Sequence, residues 1–319
     1  MTVPIPAQSP RYSNSSGSIT ARSISARVWD LAFEPRMTLT VESVFADACN
    51  IVAPDGQRYS LVSAAIGDGP LNVVLNRSES FSVIEIGDPV TSDSRGLLVG
   101  RGWRIDLSRA RLWDPVPHYG RLAAWPQVVR ANVAWLRQNV ALPSPLVDSP
   151  DQNAPVLAGA FGSRPFNATL LSRAALAIQA LLTAHRRGDV HRIRTSARRL
   201  AGLGPGLTPS GDDWLAGWLV GLRVSQAIDR NSEHDSLTVE TVSKAVLQGA
   251  SDQTTELSLA FLAAAADGAL AQVWHLLIDA LSNADPAPLR QVAAQIMQVG
   301  ATSGADMLAG FLAAFDGEH

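Results

Sequence analysis

The 319-residue chain has a single cysteine, Cys49, which rules out an internal disulfide framework and any multi-cysteine zinc site. It is poor in charge: 17% of residues are Asp, Glu, Lys or Arg, against about 25% in an average soluble protein. Of its 26 basic residues only Lys244 is lysine, a compositional bias rather than a chemical signal. Aromatics reach only 6%. No apolar run approaches the roughly 18 residues of a membrane span, and the longest candidate, Trp214 to Leu222, is far too short. The start, rich in Ser and Pro, lacks the hydrophobic stretch of a signal peptide, so the expected location is the cytoplasm. A net charge of −3 argues against a dedicated nucleic-acid binder.

What is present is small and apolar: 46% hydrophobic residues, with frequent alanine runs. Such a chain can bury a sizeable core. Its length suggests two domains. Residues 1–23, with Pro4, Pro6, Pro10 and Ser13 to Ser18, read as disordered. Residues 24–117 read as β-rich. Thr38 to Phe45, Asn50 to Val52, Tyr59 to Val62, Leu71 to Leu75 and Phe81 to Ile86 are short candidate strands. They are separated by turn sequences such as Pro54-Asp-Gly56 and Gly87-Asp-Pro89. This pattern predicts a small barrel or sandwich.

Residues 118–166 hold one helix, Leu122 to Val140, and a linker, Pro143 to Pro155. On that helix Trp125, Val128, Val129, Val133 and Leu136 share a side. Residues 167–319 read as almost wholly helical. Leu170 to Arg187 ends at Gly188. Val190–Ala201, Asp213–Val224, Thr238–Leu247, Thr255–Ala266, Leu270–Leu281, Pro288–Val299 and Asp306–Phe315 follow. The fold class is therefore α+β, a β-rich barrel- or sandwich-like domain followed by a mostly α-helical one. The tryptophans read as core, with Trp214 and Trp218 beneath the Gly-rich loop described next.

The helical half contains an internal repeat. Pro209-Ser-Gly-Asp-Asp-Trp-Leu-Ala-Gly-Trp-Leu219 aligns without gaps on Thr302-Ser-Gly-Ala-Asp-Met-Leu-Ala-Gly-Phe-Leu312. Ser-Gly-x-Asp before an apolar run reads as a helix N-terminus, with the serine as cap and the aspartate facing the positive end of the dipole. Gly217 and Gly310 fall mid-helix, where glycine costs about 1 kcal/mol relative to alanine. Close helix–helix approach would compensate and would bring the two N-termini together. The first copy is preceded by Gly202-Leu-Gly-Pro-Gly-Leu-Thr-Pro-Ser-Gly211, a loop suited to cradling an anion on backbone N–H groups. Asp212 and Asp213 would repel that anion unless a cation or a substrate amide sits between them. An ordinary pair of caps is the bland alternative, but capping alone does not require the motif twice.

Other motifs are missing. There is no P-loop, no dinucleotide fingerprint, no His-Glu-x-x-His and no Gly-x-Ser-x-Gly elbow. Cys49 reads as a small buried hydrophobe. Arg186, Arg187, Arg192, Arg194, Arg198 and Arg199 form the strongest charge run, with Arg187, His191, Arg194 and Arg198 on one helical stripe. That stripe is either a solvated face or a docking surface for an acidic partner or an anion.

Gly204-Pro-Gly-Leu-Thr-Pro-Ser-Gly-Asp-Asp213, followed by Gly300-Ala-Thr-Ser-Gly-Ala-Asp306, resembles a bacterial family known as a domain of unknown function. Ser43-Val-Phe-Ala-Asp-Ala-Cys-Asn50 and Thr254-Thr-Glu-Leu-Ser258 resemble further blocks of it. The family includes one subunit of the oxamate carbamoyltransferase of anaerobic allantoin breakdown, which turns oxalurate and phosphate into oxamate and carbamoyl phosphate. The resemblance implies carbamoyl transfer involving a small carboxylated amide, a small anionic or amide substrate, and other subunits as partners. It implies ligand-binding residues at Asn50, Gly204, Gly206, Thr208, Ser210, Gly211, Thr302, Ser303, Gly304 and Asp306. Asp212 and Asp213 are the candidate catalytic residues. No metal site is expected, and any cofactor is left open. A non-catalytic ligand-binding or scaffold subunit is the competing reading.

Overall fold

The computed structural model describes residues 18–32, 38–76, 81–93, 95–100, 102–142, 168–229 and 237–316. The expected disorder before residue 18 and the expected linker, Pro143 to Pro155, lie outside these residues. Among the described residues the first part has nine strands: β1 (Ile19–Ser25), β2 (Thr38–Val44), β3 (Ala48–Val52), β4 (Arg58–Ser63), β5 (Asn72–Leu75), β6 (Pro89–Asp93), β7 (Gly96–Val99), β8 (Trp103–Asp106) and β9 (Arg111–Trp113). Their order is β5-β4-β3-β2-β6-β7-β8-β1, and β1 pairs with β5 to close the ring. β1 pairs with β8 through Ile19 and Thr20, then with β9 from Ser23 onward, so β8 and β9 share one side of it. The result is an eight-membered barrel.

Period-two burial builds it. In β2, Leu39 and Val41 point inward while Thr38 and Thr40 are exposed. Ile24, Ile51, Leu61, Val73 and Ile105 complete a dry interior, as expected for a barrel of this size. Cys49 is fully buried there, and burial pushes its thiol up to about 12. β1 begins at Ile19, inside the stretch read as disordered. Its buried Ile19, Ala21 and Ile24 are inward residues that the surrounding serines obscured. The expected strand at Phe81 is instead a short 3-10 turn, Phe81–Val83, with only Phe81 buried.

Among the described residues nine α-helices follow: α1 (Pro126–Asn139), α2 (Ala168–Arg186), α3 (Val190–Leu200), α4 (Ser210–Ile228), α5 (Val239–Ala250), α6 (Glu256–Ala266), α7 (Gln272–Leu281), α8 (Pro286–Ile296) and α9 (Ser303–Ala313). Trp125 precedes α1 and is exposed rather than buried, whereas Val129, Val133 and Leu136 do face the core. None of the described helices is long and apolar enough to cross a membrane. α4 is apolar nearly all round and forms the centre of the helical core, which is what such a sequence requires.

The two parts are joined by specific bonds. The Gln272 and Leu270 amides donate to the carbonyls of Asp68 and Pro115 at 2.9 and 2.7 Å. Ala260 and Phe261 of α6 pack against the barrel core. Asp68, buried, accepts through its carboxylate from Ser23 and from Arg111 at 3.0 Å, tying β1 and β9 to the loop between β4 and β5 that the start of α7 meets.

The most extensive helix pair is α4 with α9. A Cβ on Gly217 would lie 1.8 Å from the carbonyl oxygen of Met307, and one on Gly310 would lie 1.9 Å from that of Trp214. Met307 and Trp214 hold equivalent places in the sequence repeat. Residue i of one copy therefore meets residue j of the other, and j meets i, the signature of a two-fold relation. The starts of the helices repeat this arrangement. A Cβ on Gly211 would meet the Leu200 carbonyl at the end of α3, and one on Gly304 the Ile296 carbonyl at the end of α8. The repeated glycines are thus where backbone lies against backbone.

Candidate functional site

The crossing brings the starts of α4 and α9 together. Thr208, in the loop before α4, and Ser303, at the start of α9, place their hydroxyl oxygens 3.2 Å apart. Both hydroxyls also hydrogen-bond Asp213, in the first turn of α4. Asp306, in the first turn of α9, is fully buried, and its charge acts on Asp213. Two carboxylates and two hydroxyls from the two halves of the repeat thus form one cluster.

Asp213 is the distinctive group. Its Oδ2 is buried and accepts no hydrogen bond. Burial pushes its carboxyl up to about 7, and the neighbouring Asp306 and Asp212 charges add to this, against the hydroxyls of Ser303 and Thr208. Desolvation and like charge both disfavour the ionised form.

Asp212, its neighbour, has a different task. Neighbouring residues of a helix are turned by about 100°, so Asp212 faces α6 rather than α9. Its Oδ1 accepts from the Gly202 amide at 3.1 Å, and its Oδ2 accepts from the hydroxyls of Thr254 and of Ser258, the latter at 2.9 Å. Burial raises its carboxyl, against these three hydrogen bonds. Thr255 caps α6 by accepting from the Ser258 amide and donates its hydroxyl to the Leu207 carbonyl at 2.7 Å. The Thr254-Thr-Glu-Leu-Ser258 block therefore holds the Gly-rich loop in place. Sequence reading left these hydroxyls without a role. The signal was a threonine pair set directly before an alanine-rich helix.

The remaining expected residues fall as follows. Gly204 and Gly206 take positive φ, 120° and 102°, which lets the loop turn back on itself. Ser210 and Ser303 are not caps. Each is the first helical residue, and Pro209 and Thr302 stand in the cap positions without side-chain hydrogen bonds. Ser210 is buried, which leaves the exchange across the repeat to Ser303. The Gly211 and Asp212 amides donate to the carbonyls of Leu203 and Pro209, both at 2.9 Å, and the Gly304 amide donates to Val299 at 3.0 Å. Those N–H groups are spent inside the fold, so the cradle is made of side chains more than of amides. Asn50 lies in the barrel wall. Its Nδ2 donates to Ser43 at 2.9 Å and its Oδ1 accepts from Ser60 at 2.7 Å.

The cluster joins two carboxyl groups, which pair with N–H or O–H donors, to two hydroxyls that can donate or accept. It also supplies one carboxyl group that changes protonation near neutral pH, which general acid–base chemistry requires.

The family described as oxamate carbamoyltransferase subunit AllH matches residues 200–315, which include both repeat loops, the Thr254–Ser258 block and all four cluster residues. The AllH family N-terminal domain matches residues 20–112, the barrel. No solved structure matches the chain. With barrel and helical site both matched over most of its length, the chain belongs to the AllH family of oxamate carbamoyltransferase subunits.

Proposed function

We propose that this chain carries the carbamoyl-transfer site of an oxamate-carbamoyltransferase-like enzyme, with Asp213 as its proton-transfer group. The observation that carries this reading is the Asp213 carboxyl, held near neutrality with one buried oxygen unpartnered. In the phosphorolytic direction a phosphate oxygen forms a bond to the carbamoyl carbon. The bond from that carbon to the oxamate nitrogen breaks, and the proton carried by phosphate must reach that nitrogen. A single group that gains and loses a proton near pH 7 can relay it, a role usually giving about 10²–10⁴-fold. Asp213 and Asp306 together favour the amide end of the substrate and disfavour its anionic end. A hydroxyl of Thr208 or Ser303, released when Asp213 takes up the proton, can then donate to the oxygen on which charge develops.

A second reading, that the chain holds ligand without catalysing, is favoured by one observation. Asp212, one of the two adjacent carboxylates, is fully engaged in holding the loop. The two readings separate in the assembled enzyme carrying Asp213→Asn. The variant is expected to assemble normally and to form carbamoyl phosphate from oxalurate and phosphate at least about a hundredfold more slowly. Full activity in that variant would leave only the binding reading.

A further inference from the structure

We propose that the outer face of α3, with the end of α2, docks an acidic protein surface of another subunit. This rests on the chain being one subunit among several. The inner face of α3 is buried through Ile193, Ala197 and Leu200. Its outer side, with the turn before it, exposes six arginines and His191 within residues 186–199, in a chain whose net charge is −3. The one acid in that stretch, Asp189, is occupied as the α3 cap and as the partner of Arg192 at 3.3 Å. Arg198 reaches Asp252 at 3.3 Å, both side chains well exposed. Among the described residues Arg187, Arg194 and Arg199 meet no carboxylate.

Two clefts flank the helix. One, of about 620 Å³, lies between α2 and α3 and is lined by Leu176, Arg187, Arg192 and Arg199 among others. The second, of about 380 Å³, lies between α3 and α5 and includes Arg194, Arg198 and Asp252. His191 and Thr195 line both.

Size and spread select the occupant. From Arg192 to Arg199 the arginines run along about 10 Å of α3 at roughly 1.5 Å per residue, and Arg186 and Arg187 extend the row across the end of α2 and the turn before α3. They lie on both sides of it rather than converging on one point, so they match an extended acidic surface better than a small anion. Leu176, exposed beside them, adds an apolar contact. Arginine is weakly hydrated and binds carboxylates in bidentate fashion, which is why it is enriched at interfaces. Like charges at positions such as Arg194 and Arg198 repel one another along the helix, and an acidic partner relieves that repulsion. α3 ends at Leu200, whose carbonyl lies against Gly211, so a subunit docked here sits beside the candidate site.

The test uses the full chain and the purified remaining subunits of the carbamoyltransferase, with binding followed by sedimentation at several salt concentrations. Wild type is expected to bind, and to bind more weakly as NaCl rises from about 0.05 to 0.5 M. The double variant Arg187→Glu/Arg194→Glu, shown to be folded by circular dichroism, is expected to bind about tenfold more weakly or worse. Equal binding by the variant overturns the docking face alone. No binding by wild type overturns it together with the multi-subunit reading it rests on. Two further results would also overturn it by naming another occupant: self-association of the chain lost in the variant, or stabilisation by inorganic phosphate lost in the variant, each without subunit binding.

Discussion

Replacing Asp213 by asparagine tests the electrostatics of the cluster independently of any substrate. The asparagine Oδ1 can keep the hydrogen bonds from Ser303 and Thr208, and the buried negative charge is gone. Moving a carboxyl from 3.8 to about 7 amounts to at most about 4 kcal/mol at 1.36 kcal/mol per unit. Asp213 is only partly covered, and solvent screening brings the expected effect to about 2 kcal/mol. The sign follows from proton linkage. Between pH 4 and 7 the folded protein keeps a proton that the unfolded chain has lost, so stability falls as pH rises through this window and levels off above it. In the variant that slope is absent. Urea unfolding followed by circular dichroism from pH 4 to pH 8 is expected to show similar stability for the two proteins at the acid end. At pH 8 the variant is expected to be more stable by about 2 kcal/mol. A variant no more stable than wild type at pH 8, or one whose advantage does not grow with pH, would refute the assignment of a strained charge to Asp213.

Asp212→Ala leaves the Gly202 amide and the hydroxyls of Thr254 and Ser258 without their acceptor and is expected to cost about 2–4 kcal/mol in chemical denaturation. An unchanged midpoint would contradict its structural role. Gly217→Ala and Gly310→Ala each place a methyl group within 2 Å of a carbonyl oxygen across the α4–α9 crossing. Each is expected to lower stability by about 1–3 kcal/mol or more, read as a fall in melting temperature. A fall of less than a degree would show that the two helices can part freely.

The helices were legible because their signals are local. Gly188 takes φ 68° at the end of α2, as a C-terminal glycine should, and the apolar period runs on through the later helices. The meeting of the two loops was legible from Gly217 and Gly310, since mid-helix glycine in two matching places has few other uses. Three things were not readable. β1 is specified by what it pairs with, and three of its five buried positions are Ser or Ala. The stretch from Phe81 alternates like a strand, but only Phe81 and Ile84 are buried. Asp212 and Asp213 read as one acidic pair because sequence does not show which way each side chain turns. One turns to α6 and stabilises the loop, and the other turns to α9.

The reciprocal crossing of α4 and α9 also bears on direction. A site built from two like halves would accept a ligand equally well either way round, whereas the carbamoyl donor of the proposed function has an amide end and a carboxylate end that must not be exchanged. The halves differ where this matters. The run from Leu200 to Gly211 is longer than that from Ile296 to Gly304, Thr208 comes from the first loop, and Ala305 stands where the first copy has Asp212. Under the proposed function these departures would give the site a front and a back, and a change of preferred substrate orientation would have to begin there.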